Sequence, residues 1–245
     1  MKRNLKIILM MMLCLFCTSF VQAQAKKDTT IARPQNSAGD GKSMAGGLVT
    51  RESGQEAALG TPTRAIQDLE TKMDSYKTGD NLTAEEKAKN VQIKKEVITG
   101  TFDIRELSKL SLDKHWASLS AAEQNNFVNI MTQLLEKKAI LSKEQGKTRG
   151  KKFTIRYLGD TFLDAQKTKS KTKTSIYVPK ENLNLALDYK LMKAGKDWKI
   201  FDVIVDEASL VENYKYQFNS IITKYGYPEL ITRMNKKLKD MDSNS

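Results

Sequence analysis

The chain carries two cysteines in 245 residues, and both, Cys14 and Cys17, fall in its first twenty. Once that segment is removed none is left. A thiol nucleophile, a cysteine-based metal site and a disulfide framework are excluded by the same fact. Histidine is almost as scarce, with His115 alone. It has no second histidine and no recognisable carboxylate partner, whereas a metal site needs several convergent ligands. No metal and no cofactor is therefore expected. No glycine-rich phosphate loop precedes a helix, and no Gly-x-Ser-x-Gly elbow occurs. The only long apolar run, Ile7 to Phe20, is too short for a comfortable membrane span. Acidic residues are outnumbered, 29 against 41 basic ones, for a net charge of +12. In a cytosolic protein that excess suggests nucleic acid, but no motif with interleaved aromatics accompanies it.

What is present begins with an export signal. Met1 to Lys6 is a positive n-region, Ile7 to Phe20 is the apolar core, and Val21-Gln-Ala23 and Ala23-Gln-Ala25 are both small-residue cleavage patterns. Residues 1–25 are read as a cleaved signal peptide. The alternative is a lipidated Cys17 in a relaxed lipobox, which the bulky Phe16 disfavours. Loss of Lys2, Arg3 and Lys6 lowers the net charge to +9. That charge serves solubility, or attraction to anionic lipid surfaces. Residues 26–60 lack aromatics and are rich in Gly, Ser, Thr and Gln, which predicts a flexible, low-complexity leader.

The folded domain is placed at 61–242. Ile66, Leu69 and Met73 recur at helical spacing over Thr63 to Tyr76. Thr83 with Glu86 and Ser120 with Glu123 are capping boxes, each opening a helix. The first of these carries Val91, Ile93 and Val97, the second Phe127, Ile130, Met131, Leu134 and Leu135. After Gly150 the period becomes alternating, over Phe153–Tyr157, Ser175–Val178 and, most strictly, Leu183 to Leu191. A tight connection, Lys193 to Asp197, leads into the aromatic and β-branched stretch Trp198–Val205. Connections this short make the strands antiparallel. In Trp198–Val205 the apolar phase slips: Trp198 and Ile200 share one face, Phe201, Val203 and Val205 the other. Either a bulge shifts the phase or both faces are covered, as suits a central strand beside a cavity. Lys167, Lys169, Lys171 and Lys173 fall on one side of an extended segment, as edge-strand protection or as a basic rim.

The last stretch organises the rest. Ser209 and Glu212 form a third capping box, and Leu210, Val211, Tyr214, Phe218, Ile221, Ile222 and Tyr225 follow on one helical face. Gly226 ends that helix. Pro228 fits the first turn of another, with Leu230, Ile231, Met234, Leu238 and Met241 as its apolar face. The element order is α+β: N-terminal helices, an antiparallel sheet of about four strands, then C-terminal helices.

The run W-K-I-F-D-V-I-V, followed by S-L-V-E-N-Y-K-Y-Q-F-N-S-I-I-x-K-Y-G, resembles the signature of the MlaC (toluene-tolerance) family. The segment from Phe102 to Trp116 is similar to that family's F-D-F/I…L-G…W pattern, with Asp113 where glycine is usual. This departure is expected to lengthen the helix slightly. Gln124, Phe127 and the Leu134-Leu135 pair resemble the helix that follows. The resemblance does not reach the leader. It implies a curved sheet of the cystatin-like or nuclear-transport-factor-like type, with the C-terminal helices enclosing an apolar cavity. It further implies a monomeric periplasmic phospholipid shuttle between inner and outer membranes, maintaining outer-membrane lipid asymmetry, and no enzyme. The cargo would be phospholipid. The partners would be an inner-membrane ABC transporter with an MCE-domain protein and an outer-membrane lipoprotein complex, with no nucleic acid. Apolar faces within the matching stretches nominate Leu107, Leu110, Trp116, Phe127, Met131, Leu134, Val203, Val205, Tyr214, Phe218, Ile221 and Tyr225 as lipid-binding. Some of these must instead form ordinary core. The amphipathic rings of Tyr157, Tyr177, Tyr189, Tyr214, Tyr216, Tyr225 and Tyr227 suit a greasy pocket with a wet mouth.

Two other readings compete. A small enzyme of the same cone-shaped fold would need a pair such as Asp202 with His115; a helix-dipole role for His115 and an orienting hydrogen bond for Asp202 are the structural alternatives. A structural envelope protein would have its interior filled by side chains.

Overall fold

The protein was analysed as a computed structural model, which describes residues 55–77, 81–138, 154–178 and 182–242. The expected signal peptide and the expected leader up to residue 54 lie outside these residues, as does Phe153. The last residues assigned to the leader are built into the fold. Gln67 accepts the Ala57 amide at 2.7 Å and donates to the Gln55 carbonyl at 2.8 Å, and Ala57 is buried.

Helix α1, Pro62–Asp74, starts on the Thr61 N-cap and buries Ile66 and Leu69. Helix α2, Ala84–Thr101, opens on the complete Thr83–Glu86 capping box. Its inward face differs from expectation by one residue: Val91 is exposed, and Asn90 is buried beside Ile93 and Val97. The reason is local, because the Asn90 amide bonds both backbone groups of Lys77 at 2.8 Å and holds the segment after α1 against α2. Helix α3, Ile104–Leu112, is capped by Asp103. It stops at Leu112 instead of lengthening, since Asp113 adopts φ 49°, ψ −123°, a conformation natural to glycine. A 3₁₀ segment, Asp113–Ser118, follows and delivers the buried Trp116. Helix α4, Ala121–Lys138, begins on the Ser120–Glu123 box.

The sheet has five strands in sequence order: β1 Thr154–Phe162, β2 Lys169–Val178, β3 Leu183–Ala194, β4 Asp197–Val205 and the short β5 Ala208–Ser209. All neighbours are antiparallel. Lys169, Lys171 and Lys173 therefore belong to an internal strand, and Lys167 lies in the turn before it with φ 56°. The three strand lysines point to the outer face, where Lys171 pairs with Asp188 at 2.8 Å, so they protect no edge. Two register shifts curve the sheet. One lies between Tyr157 and Gly159, where Gly159 supplies φ 104°. The other lies between Lys190 and Leu191 and makes Phe201 the extra residue of β4. This second bulge resolves the phase slip. Trp198 and Ile200 come onto the same face as Val203 and Val205, while Phe201, Asp202 and Ile204 are buried on the other.

Helices α5, Leu210–Tyr225, and α6, Tyr227–Asp242, close the fold. Gly226 separates them with φ 86° and donates its amide to the Ile222 carbonyl at 2.8 Å. One apolar cluster joins all six helices to the inner face of the sheet. The architecture is α+β, with helices over the inner face of a curved antiparallel sheet and the first turn of α5 also over the outer face of β4.

Candidate functional site

Directly opposed residues of neighbouring strands share a face, so the register defines the inner surface row by row. Ile155, Ile176 and Leu185 form the first row. Tyr157, Thr174, Leu187 and Val205 form the second, and Asp160, Thr172, Tyr189 and Val203 the third. Phe162, Ser170, Leu191 and Ile200 form the fourth. The rows are not equally covered. Ser170, Leu191 and Ile200 are sealed beneath the helices. Ile155, Ile176, Leu187, Val203 and Val205, spread over the first three rows, are only half-buried, while Leu185, Tyr157, Thr174 and Tyr189 of the same rows are buried. The sheet thus offers half-buried apolar side chains in its first three rows, interleaved with buried ones, beside a fourth row that is sealed on β2, β3 and β4 and exposed at Phe162 on β1.

A polar belt crosses this surface. Strand β2 presents Ser170, Thr172 and Thr174, all buried. Their hydroxyls are satisfied locally: Thr172 donates to Asp160 at 2.5 Å, Ser170 to the Thr161 carbonyl at 3.3 Å, and Thr174 to the Leu187 carbonyl. Asp160 also accepts the Thr63 amide at 3.2 Å and its hydroxyl at 2.9 Å, which pins the start of α1 over β1 and β2. One helical stretch further on, Glu70 of α1 accepts the Tyr157 hydroxyl. Burial pushes the Glu70 carboxyl up to about 7, against the opposing pull of that hydrogen bond, and nearby Asp74 adds to the rise. Burial likewise raises the Tyr157 and Tyr189 phenols, with the Glu70 charge contributing to both. Sequence reasoning missed Glu70 and this hydroxyl belt, and left Ile155, Ile176 and Leu187 out of the candidate set. The signal for the last three was available in the strand alternation, which marks one face of each strand without saying how fully it is covered.

The twelve nominated residues divide in three. Leu107, Trp116, Phe127, Met131, Leu134, Tyr214, Phe218 and Ile221 are buried together in the apolar cluster. There Phe127 meets Phe218 edge-on at 5.6 Å and Tyr214 stacks on Phe218 at 5.4 Å. Leu110, Val203 and Val205 are partly buried against that cluster, and only the two valines belong to the half-open sheet surface. Tyr225 stands apart. It lies at the exposed end of α5, half-open to solvent, with the Arg233 guanidinium 4.8 Å above its ring. A stripe spaced for one helical face overruns the core there, because α5 extends past the layer it covers. Tyr177 sits on the outer face, opposite Thr154 and Asn184, and Tyr216 is exposed.

The groups that an acid–base pair would require are otherwise engaged. Asp202 is buried and accepts the Ser209 hydroxyl at 2.8 Å and the Val211 amide at 3.0 Å, with Lys190 at 3.1 Å. It anchors the first turn of α5 to β4, while Ser209 caps that helix by accepting the Glu212 amide at 3.1 Å. His115 Nε2 instead meets Asn219 Oδ1 of α5 at 3.0 Å. A separate cleft of about 460 Å³ lies between α2, α4 and α6, lined by Val91, Met241 and several lysines, and includes none of the twelve. Among the described residues no helix is long and apolar enough to cross a membrane.

Comparison with known proteins gives the arrangement a family. No match is found among curated proteins. Among solved structures, a phospholipid-binding protein from Ralstonia solanacearum, determined in complex with a phospholipid, shares the fold with a TM-score of 0.56. Identity is 21%, over 74% of this chain and 96% of that one. The family model described as MlaC protein matches residues 67–236, from the middle of α1 to α6, and the chain therefore belongs to the MlaC family.

Proposed function

We propose that this protein is a non-catalytic phospholipid carrier of the bacterial periplasm, and that acyl chains lie on the half-open inner surface of the sheet. The physical need is large. A diacyl lipid exposes about thirty methylenes at about 0.8 kcal/mol each, so crossing water unprotected costs on the order of 24 kcal/mol. The single observation that carries the reading is the uneven cover of the inner face, half-open at Ile155, Ile176, Leu187, Val203 and Val205 and sealed at Leu191 and Ile200. Family membership and the lipid held by the Ralstonia protein support the same conclusion. In this reading Phe127, Phe218 and their buried neighbours are the wall behind the chains, and the headgroup stays at the water boundary. The partners are an inner-membrane MCE-domain ABC transporter and an outer-membrane lipoprotein complex, with lipid asymmetry as the outcome.

Native mass spectrometry of the purified protein tests this. The wild type is expected to carry phospholipid. Leu187→Asp is expected to fold and lose it, because a carboxylate there faces the proposed tail surface. Phe218→Asp is expected to unfold, since Phe218 is wholly enclosed between two aromatic rings. A folded Leu187→Asp protein with full lipid content would contradict the assignment.

A further inference from the structure

Large apolar side chains gather, exposed, beyond the fourth row of the sheet. Leu59 is 81% exposed, Leu163 48% and Phe162 44%. Trp198 brings them together: its indole donates to the Gly60 carbonyl at 3.0 Å, next to Leu59, and its ring lies 6.3 Å from that of Phe162. The β1–β2 and β3–β4 turns emerge side by side here, with the Lys193 amide donating to the Thr168 carbonyl at 2.8 Å. The apolar tip is therefore a fixed surface. Its surroundings are cationic on balance, with Lys167, Lys193 and Lys196 against the exposed Asp197. Lys167 holds its ammonium 5.5 Å from the centre of the Phe162 ring, and Lys193 and Lys196 are exposed on the adjoining turn. The acid of the β1–β2 turn, Asp164, is occupied in holding it, accepting the Thr168 amide at 2.8 Å and the Lys169 amide at 3.0 Å.

The geometry points to this tip as a docking surface for an anionic bilayer. Projecting Phe and Leu side chains match the acyl–headgroup boundary, and the lysines around them match phosphate. Projecting, singly exposed apolar side chains suit shallow insertion into lipid. The inference goes beyond carriage of a lipid: it says which end touches the membrane. Docking there leaves the half-open positions of the first three rows free to engage a partner.

Sedimentation with vesicles tests it, using equal parts phosphatidylglycerol and phosphatidylcholine against phosphatidylcholine alone. The wild type is expected to sediment with the anionic vesicles, less so at high salt. Leu163→Asp is expected to lower the bound fraction at least about fivefold, and Lys167→Glu/Lys196→Glu to abolish the preference for anionic lipid. Lys87→Glu/Lys89→Glu, the same charge change on exposed α2 positions, is expected to bind as the wild type does. Lipid content, measured on the same samples, is expected to be unaffected by Leu163→Asp, which separates this proposal from the carrier reading. Failure of the wild type to bind, undiminished binding by a folded Leu163→Asp protein, or equal loss in the α2 variant would each overturn it. Capture of an acidic protein by the tip without vesicle binding would overturn it as well.

Discussion

At the scale of single residues, two side chains sit where their own chemistry resists. Asp113 holds φ 49°, ψ −123°, and a non-glycine residue there stores on the order of 1 kcal/mol or more. Among the described residues its side chain gains an exposed ion pair with Lys215 at 3.4 Å, a contact worth little. Asp113→Gly is therefore expected to stabilise the protein by about 1 kcal/mol, a rise of roughly 2–4 °C in Tm. Calorimetry showing no rise, or a fall, would contradict the strain argument. The sequence reading noted a glycine missing from this position but inferred a longer helix, because a family pattern records residue types and not the dihedral angles they serve. Glu70 is the second case. Its carboxyl titrates at about 7 in the fold against 4.5 ordinarily, so the folded state prefers the protonated form. Stability from this group is complete below pH 4.5, falls as pH rises, and is gone above about 7. The span amounts to something on the order of 3 kcal/mol. Glu70→Gln is expected to flatten that part of the profile and to be the more stable protein at pH 8. Parallel urea-unfolding curves for the two proteins across pH 4.5 to 8 would refute it.

At the scale of elements, the most informative place is where β4 meets α5. The aromatic and β-branched run made a strand legible, and Ser209 and Gly226 marked both ends of the following helix. Neither could decide between a bulge and two covered faces. Both hold, since the extra Phe201 realigns the apolar residues and the opposite face buries Asp202 under the first turn of α5. A buried carboxylate that satisfies an amide, a hydroxyl and an ammonium is costly to lose. Asp202→Ala is expected to destabilise by about 3 kcal/mol, read as a lower urea midpoint, and Ser209→Ala by about 1 kcal/mol. Equal effects of the two would mean that Asp202 adds nothing beyond the Ser209 cap. The Lys167–Lys173 alternation shows the limit of local reading from the other side. Period two gave the face of Lys169, Lys171 and Lys173 correctly and failed at Lys167, which lies in a turn, and whether a strand is internal depends on partners remote in the chain.

At the scale of the whole molecule, the helix-first order and the antiparallel meander followed from spacing and from connection length. Which apolar residues fill the core and which line an opening did not, because both sets obey the same periodicity. Phe218 and Val203 read alike in sequence. Only the packing of α3 and α4 against α5 encloses the first, while the second is left half-open. The central claim is thus spatial: acyl chains rest on the open rows of the sheet and not on the outside of the helices. Photo-crosslinking measures it directly, with a photoreactive amino acid placed in turn at Leu187, Val205 and the exposed Tyr216 of α5, in protein loaded with phospholipid. Mass spectrometry is expected to find the phospholipid adduct at Leu187 and Val205 and none at Tyr216. Lipid-loaded protein that forms its adduct at Tyr216, and not at Leu187 or Val205, would contradict the account.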